Sequence, residues 1–233
     1  MGKLVLVESR KDYIGKTVIC IKTGIALSEG GKNVLFMDLS SGKKKISEYL
    51  NVNESIIYDI KDALNGICSL EQAVIEINER LSLLPCPRIA DKLSKITQDE
   101  FTEIIGKAKE TYDFIIADVD KASSGYINFS LVSHIITVNN NDFSCIKEFN
   151  NTRSIAQKYN VDHILSMLNM YHRKKAKKGT AMSAKDIQKM TEVDMDVIIE
   201  ENPRYSNMDY DYLFGSQDDS FSRAIKTIAG KLT

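Results

Sequence analysis

The tripeptide Gly15-Lys16-Thr17 is where the chain most plainly offers chemistry. It is the closing half of the phosphate-binding loop Gly-x-x-x-x-Gly-Lys-(Ser/Thr). In that loop glycine lets the backbone approach a phosphate, lysine brings charge to the terminal phosphates and the hydroxyl is a magnesium ligand. A helix start at this point adds unpaired N–H groups that favour an anion. The first glycine of the pattern is missing, since Arg10 stands there. A bare Gly-Lys-Thr is also compatible with an ordinary helix start bearing an exposed lysine. Two further apolar runs end in carboxylates, at Asp38 after Val34 to Met37 and at Asp118 after Phe114 to Ala117, with Asp120 two residues on. His134, His163 and His172 show no catalytic pairing with a serine, cysteine or acid.

The elements that must hold these groups are legible as periodicity. Short apolar runs at Leu4 to Val7, Val34 to Met37, Leu81 to Leu84, Phe114 to Ala117, Ile135 to Val138, Ile164 to Leu168 and Val197 to Ile199 read as strands. Between them lie helical patterns. Ile19, Thr23, Ala26 and Leu27 stripe the first, which Gly30-Gly31 closes where a left-handed residue is wanted. The others are Leu70 to Ile77, Gln98 to Thr111 after the cap Thr97, Cys145 to Tyr159, Ala184 to Met190 after the cap Ser183, and Asp219 to Leu232. Continuous apolar strands alternating with helices predict a doubly wound α/β fold, a mostly parallel sheet with helices on both faces. In such sheets ligands bind beyond the carboxyl ends of the strands, near the point where strand order reverses. Gly15, Asp38 and Asp118 all follow a strand in that way.

Composition narrows the class. The 233 residues are 43% apolar and 27% charged, with 3 prolines and 12 glycines, which fits one globular domain over residues 1–233 without a flexible linker. A net charge of −1 argues against a protein built around one large electrostatic surface. The scattered Cys20, Cys68, Cys86 and Cys145 supply neither a disulfide framework nor a zinc spacing, so a reducing cytoplasm is expected. The apolar run at the start stops at Glu8, too short for a signal peptide or a membrane span.

The chain resembles the MinD/ParA family of P-loop ATPases with a deviant Walker A sequence, its MinD members most of all. The family loop reads GKGGVGKT. Lys11 falls on the family's signature lysine, Lys16 on the P-loop lysine and Thr17 on the magnesium ligand, while Arg10, Asp12 and Tyr13 replace glycines. Ordered matches follow at Ile57-Tyr58-Asp59, at Asn65-Gly66 with Leu70-Glu71-Gln72-Ala73, and at Leu83-Leu84-Pro85 with Arg88 and Asp91-Lys92. The last runs from Lys178-Gly179 through Met182-Ser183 to Asp186-Ile187. The resemblance implies a P-loop NTPase-like fold of the SIMIBI type and ATP with Mg²⁺ as ligands. It places the nucleotide on Gly15, Lys16, Thr17, Val18 and Asn169, and the metal at Thr17, Asp38 and Asp118. It gives catalytic roles to Lys11, Lys16 and Asp38. It further implies a homodimer on ATP binding, in which Lys11 reaches the partner's phosphates and Glu148 is a dimer contact. The implied role is positioning cell machinery such as the division site, through a protein partner, from the cytoplasm and peripherally at the inner face of the membrane.

The departures bear on turnover. Ser40 stands where the family usually has a second aspartate that positions the attacking water, and a hydroxyl is a far poorer proton acceptor. Hydrolysis is therefore expected to be weak, and a hydrolysis-deficient scaffold similar to the pilus-localisation members of the superfamily is the competing reading. Val119-Asp120-Lys121-Ala122 replaces the usual switch, and Asp120 either holds water or metal or only solvates the strand end. Asp12 and Tyr13 are expected to weaken phosphate binding by charge and bulk. The basic clusters Lys43 to Lys45 and Arg173 to Lys178 read as solvated loops, with a membrane surface or DNA as the alternatives, DNA the less favoured. Phe221, Ala224, Ile225, Ile228 and Leu232 form one apolar helical face, read as core packing in preference to membrane binding, and Tyr205, Tyr210 and Tyr212 as loop packing.

Overall fold

The computed structural model describes residues 1–42, 44–87, 95–120, 124–161, 163–205, 208–215 and 218–233. Lys43, Arg88, Asp91, Lys92, Lys121 and Ala122, named above, lie outside the described residues. Among the described residues eight strands form one sheet: β1 Lys3–Glu8, β2 Val34–Leu39, β3 Ile75–Asn78, β4 Leu81–Leu84, β5 Phe114–Val119, β6 Val132–Asn139, β7 His163–Tyr171 and β8 Val197–Glu200. Their order across the sheet is β3-β4-β2-β5-β1-β6-β7-β8, all parallel except the β3-β4 pair. The helices are α1 Lys16–Glu29, α2 Ile46–Tyr49, α3 Ile60–Leu64, α4 Leu70–Ala73, α5 Gln98–Thr111, α6 Cys145–Tyr159, α7 Arg173–Lys177, α8 Ala184–Thr191, α9 Tyr210–Phe214 and α10 Ser220–Leu232. The doubly wound α/β architecture read from the sequence is the one observed.

Strands β1, β2 and β5 are buried along almost their whole length, as parallel strands covered on both faces must be. One face packs against α1 and α10 and the other against α5. Chain order reverses about β1, since β2 lies on its β5 side and β6 on the other, and this opens the crevice at the strands' carboxyl ends.

One expected helix is corrected. The helical pattern over Leu70 to Ile77 ends at Ala73, and Ile75–Asn78 is a strand paired antiparallel with β4. Ser69 caps a single turn by accepting from the Gln72 amide at 3.3 Å. Val74 and Ile75 then turn extended, and Ile75 to Asn78 alternate between half-buried and exposed. The β-branched residues at 74, 75 and 77 favour that alternation over a second helical turn. The caps at Thr97 and Ser183 form as expected, accepting from Glu100 and Asp186 amides. Gly31, φ +84°, closes α1. The apolar face of α10, with Phe221, Ile225, Ile228 and Leu232, is buried against α1 and β8. Tyr205 and Tyr212 bond Ser220 and Asp219. Among the described residues no helix is long and apolar enough to cross a membrane.

Helix α1 lies close to the sheet because Gly24 faces Phe36 of β2. A Cβ at Gly24 would stand 2.2 Å from the Phe36 ring. Alanine usually gains about 1 kcal/mol over glycine in a helix, but overpacking costs about 1 to 3 kcal/mol. Gly24→Ala is therefore expected to lose about 1 kcal/mol net in urea unfolding. Adding Phe36→Leu should make the double variant less destabilised than the sum of the two, and strict additivity would refute the contact.

Candidate functional site

Lys16 opens α1, and Gly15 before it takes the left-handed conformation at φ +79°. A Cβ there would also meet Asn169 Nδ2 at 2.7 Å, so both conformation and space demand glycine. Asn169 sits near the carboxyl end of β7, 5% exposed, and donates from that nitrogen to the Ile14 carbonyl at 2.7 Å. The loop is thereby tied to the strand. Tyr13, where the family loop has glycine, is also left-handed at φ 59° and points outward. The turn's demand has outlived its glycine, at a cost of about 1 to 2 kcal/mol for an L side chain.

The ammonium of Lys16 is buried among strand ends. Its Nζ donates to the Val119 carbonyl at 2.7 Å and pairs with Asp118 Oδ1 at 3.0 Å and Asp120 Oδ1 at 3.3 Å. Burial lowers its pKa, but the charges of Asp118 and then Asp120 outweigh that and hold it above the usual lysine value. Thr17 Oγ1 donates to the second oxygen of Asp118 at 2.6 Å. Oδ1 of Asp118 has the ion pair but no aligned hydrogen bond. Burial pushes the Asp118 carboxyl above its usual range, against the pull of Lys16 and Thr17.

Asp38 faces Asp118 across the β2–β5 register. It is 2% exposed and accepts from the Ser40 amide at 3.3 Å and the Ile46 amide at 2.9 Å. Burial first, then the Asp118 charge, raise its pKa to about 6. Ser40 Oγ donates to Asp120 Oδ1 at 3.0 Å, and the Ser41 amide donates to the other oxygen at 2.9 Å. Burial alone would raise the Asp120 pKa, but the Ser41 donors, followed by Lys16 and Ser40, hold it below the usual range.

These groups border a cleft of about 340 Å³ between the loop Lys11 to Val18, the turn Ser40 to Gly42, and Asp120. That is the low end of small-molecule sites. A smaller space of about 70 Å³ lies beyond Gly15 and Val18, lined by Asn169, Glu201, Asn202 and Tyr205. A larger cleft of about 780 Å³ surrounds Lys3, Lys109 and Tyr112, at the opposite, amino ends of β1 and β5. None of the residues singled out for chemistry borders it.

The structure thus brings together Gly15, Lys16, Thr17, Val18, Asp38, Asp118 and Asn169. Lys11 and Glu148 lie on a neighbouring edge and are engaged within the chain. Lys11 donates to Asn140 Oδ1 at 2.8 Å and pairs with Asp142, and Arg10 pairs with Glu148 at 3.2 Å. Asn140 and Asp142, in the turn between β6 and α6, escaped sequence reasoning. The one local signal was the Asp-x-Ser of a turn, visible now as Asp142 accepting from the Ser144 amide and hydroxyl.

No protein-family profile matches the chain. A putative septum site-determining protein MinD of Emiliania huxleyi is 31% identical over 119 residues, 51% of this chain and 44% of that protein, so the match spans less than half of that relative. The septum site-determining protein MinD of Bacillus subtilis is 24% identical over 201 residues, 84% of this chain and 75% of the relative. Among solved structures, a MinC:MinD cell division complex of Aquifex aeolicus superposes with a TM-score of 0.80 at 23% identity, over 99% of this chain and 95% of that one. MinD of Pyrococcus horikoshii complexed with Mg-ADP gives 0.79 at 23% identity, over 100% and 96%. A ParA family ATPase of Chlorobium tepidum gives 0.80 at 19% identity, over 100% and 99%.

Proposed function

The chain belongs to the MinD/ParA family, a family of division-site and partition positioning proteins, and on that premise we propose that it binds ATP with Mg²⁺, dimerises when it does so, and positions cell machinery with weak ATP hydrolysis. The observation that carries the reading is the convergence of Lys16, Thr17 and Asp118 at the start of α1, behind a left-handed Gly15.

The donor set suits the ligands. Asp38 and Asp118, both with raised pKa, concentrate more negative charge than Lys16 alone balances, and a divalent cation beside Thr17 answers that excess. Lys16 holds a proton firmly and serves as the charge for terminal phosphates. Magnesium, when bound, would supply neutralisation of phosphate charge, with Thr17 and the two aspartates arranging its surroundings. The amides at the start of α1 and Asn169 would hold the rest of the nucleotide. The cleft is narrowed by Lys16 lying on Asp120, so binding exchanges that pair for phosphate oxygens. Lys11 must likewise leave Asp142, and Glu148 must leave Arg10, before either meets a second copy.

Ser40 favours the competing reading, a scaffold in which nucleotide sets dimer shape without turnover. The same experiment addresses both. Calorimetry with millimolar ATP and Mg²⁺ is expected to give saturable heat, and light scattering to show a dimer with ATP and a monomer with ADP. Lys11→Ala should bind ATP and stay monomeric. Absence of heat would remove the binding claim, and dimerisation unchanged in Lys11→Ala would remove the role given to that lysine. Phosphate release separates weak turnover from none. A peripheral contact with an anionic membrane would draw on the basic segment Arg173 to Lys178. Salt-sensitive cosedimentation with anionic vesicles tests that contact, and binding to DNA instead would redirect it.

A further inference from the structure

We infer that Asp120 supplies the water-orienting carboxylate that the chain lacks at position 40. The inference rests on the ATP-binding reading above and extends it to a residue outside the family's motif.

The parallel register between β2 and β5 pairs Asp38 with Asp118 and Leu39 with Val119, so the next residues along both strands, Ser40 and Asp120, emerge side by side. The Asp120 carboxylate reaches across to β2's side of the crevice. There Ser40 Oγ and the Ser41 amide each donate to one of its oxygens, at 3.0 and 2.9 Å. The Gly42 amide donates to Ser40 Oγ at 3.1 Å, which turns the hydroxyl's own hydrogen toward Asp120. A carboxylate is thus fixed beside position 40, delivered by the neighbouring strand.

Its setting suits the task. The side chain is 41% exposed and borders the same cleft as Lys16 and Thr17, so water reaches it. Two of its donors come from the turn after β2 and do not depend on Lys16. When Lys16 turns to a phosphate, Ser40 and Ser41 still hold Asp120 in place. The donors at Ser40 and Ser41 leave the rest of the carboxylate open to the cleft, where it accepts a hydrogen bond from water and orients it. In the step so assisted, the water oxygen bonds to the terminal phosphorus as the bond from that phosphorus to the bridging oxygen breaks. ADP departs with the bridging oxygen, and the water's proton passes to the released phosphate or to solvent.

The bland account of Asp120 is that it only neutralises Lys16. The variants Asp120→Asn and Ser40→Asp/Asp120→Asn separate the two. We expect Asp120→Asn to keep MgATP affinity in calorimetry, or to tighten it because Lys16 is released. Single-turnover phosphate release should fall about 100-fold, and affinity for ADP with aluminium fluoride, which mimics the transferring phosphoryl group, should fall by a similar factor. Restoring a carboxylate at position 40 in the double variant should recover both. Unchanged phosphate release in Asp120→Asn, or a wild-type protein that binds MgATP and never turns it over, overturns the inference while leaving the binding reading intact. A wild-type protein with no MgATP heat overturns the binding reading itself, and this inference with it.

Discussion

Lys16→Ala is expected to abolish MgATP heat and, before any ligand is added, to destabilise the fold by about 3 to 5 kcal/mol at pH 8, the usual consequence of removing one partner from a buried ion pair. The ammonium is 10% exposed and its Asp118 partner 1%, so solvent screens the pair little. Without it, Asp38, Asp118 and Asp120 face one another at the ends of β2 and β5, and Lys45, on the Ser40 carbonyl, offsets part of the charge of Asp38 alone. The sign with pH follows from linkage. Lys16 itself, with a raised pKa, contributes stability that is present below the normal lysine pKa and lost only in strong alkali. The neutral-range effect therefore comes from the carboxylates it leaves behind. Losing a nearby positive charge raises their pKa values further, so as pH falls they take up protons and the penalty shrinks. Urea midpoints for wild type and Lys16→Ala should differ widely at pH 8 and by less than half as much at pH 5. Lys16→Met, which keeps the aliphatic stem, should behave the same way. Equal loss at both pH values would mean that packing, not charge, accounts for the effect.

What the sequence could reveal about this site follows from how local each relation is. Gly15-Lys16-Thr17 declares itself because a strand, a turn and a helix start are consecutive, and Asp38 and Asp118 because each ends an apolar run. Those features needed only periodicity and turn chemistry to locate the crevice. The relations between distant segments were not legible in that way. That Ser40 and Asp120 touch depends on the β2–β5 register, which no single segment encodes. Lys11 resting on Asp142 depends on where the turn after β6 falls, 131 residues away. The misread of Ile75 to Ile77 has a different origin. Leu70, Ala73 and Ile77 fit helical spacing as well as Ile75 and Ile77 fit a strand, and pairing with β4 decided between them. The substitutions in the loop are likewise only half explained by type. Tyr13 keeps the left-handed turn and turns its ring to solvent instead of filling the cleft with it, so the bulk feared from the sequence lies mostly outside.

Asp38→Asn should move stability the other way, and its dependence on pH is the sharper test of how the site is charged. Asp38 is 2% exposed with its carboxyl raised from 3.8 to about 6, chiefly by burial and then by Asp118. A folded pKa above the unfolded one means that between these values the folded chain holds more protons. Its contribution is therefore fully present below about pH 4 and is lost as pH rises through about 6. At about 1.4 kcal/mol per pKa unit, the fold gives up roughly 3 kcal/mol across that window on account of this one group. Asparagine cannot ionise, but it can accept only one of the two bonds now given by the Ser40 and Ile46 amides, a loss of about 1 kcal/mol. The variant is therefore expected to be less stable than wild type by about 1 kcal/mol at pH 4 and more stable by about 2 kcal/mol at pH 8, with the curves crossing near pH 5. Unfolding in urea without nucleotide or divalent cation, at four pH values, measures the difference, and a variant less stable than wild type at pH 8 would show that Asp38 is not held against its charge. The same variant should gain less stability than wild type when Mg²⁺ and ATP are added, because the charge that opposes folding in their absence is the charge that draws them in.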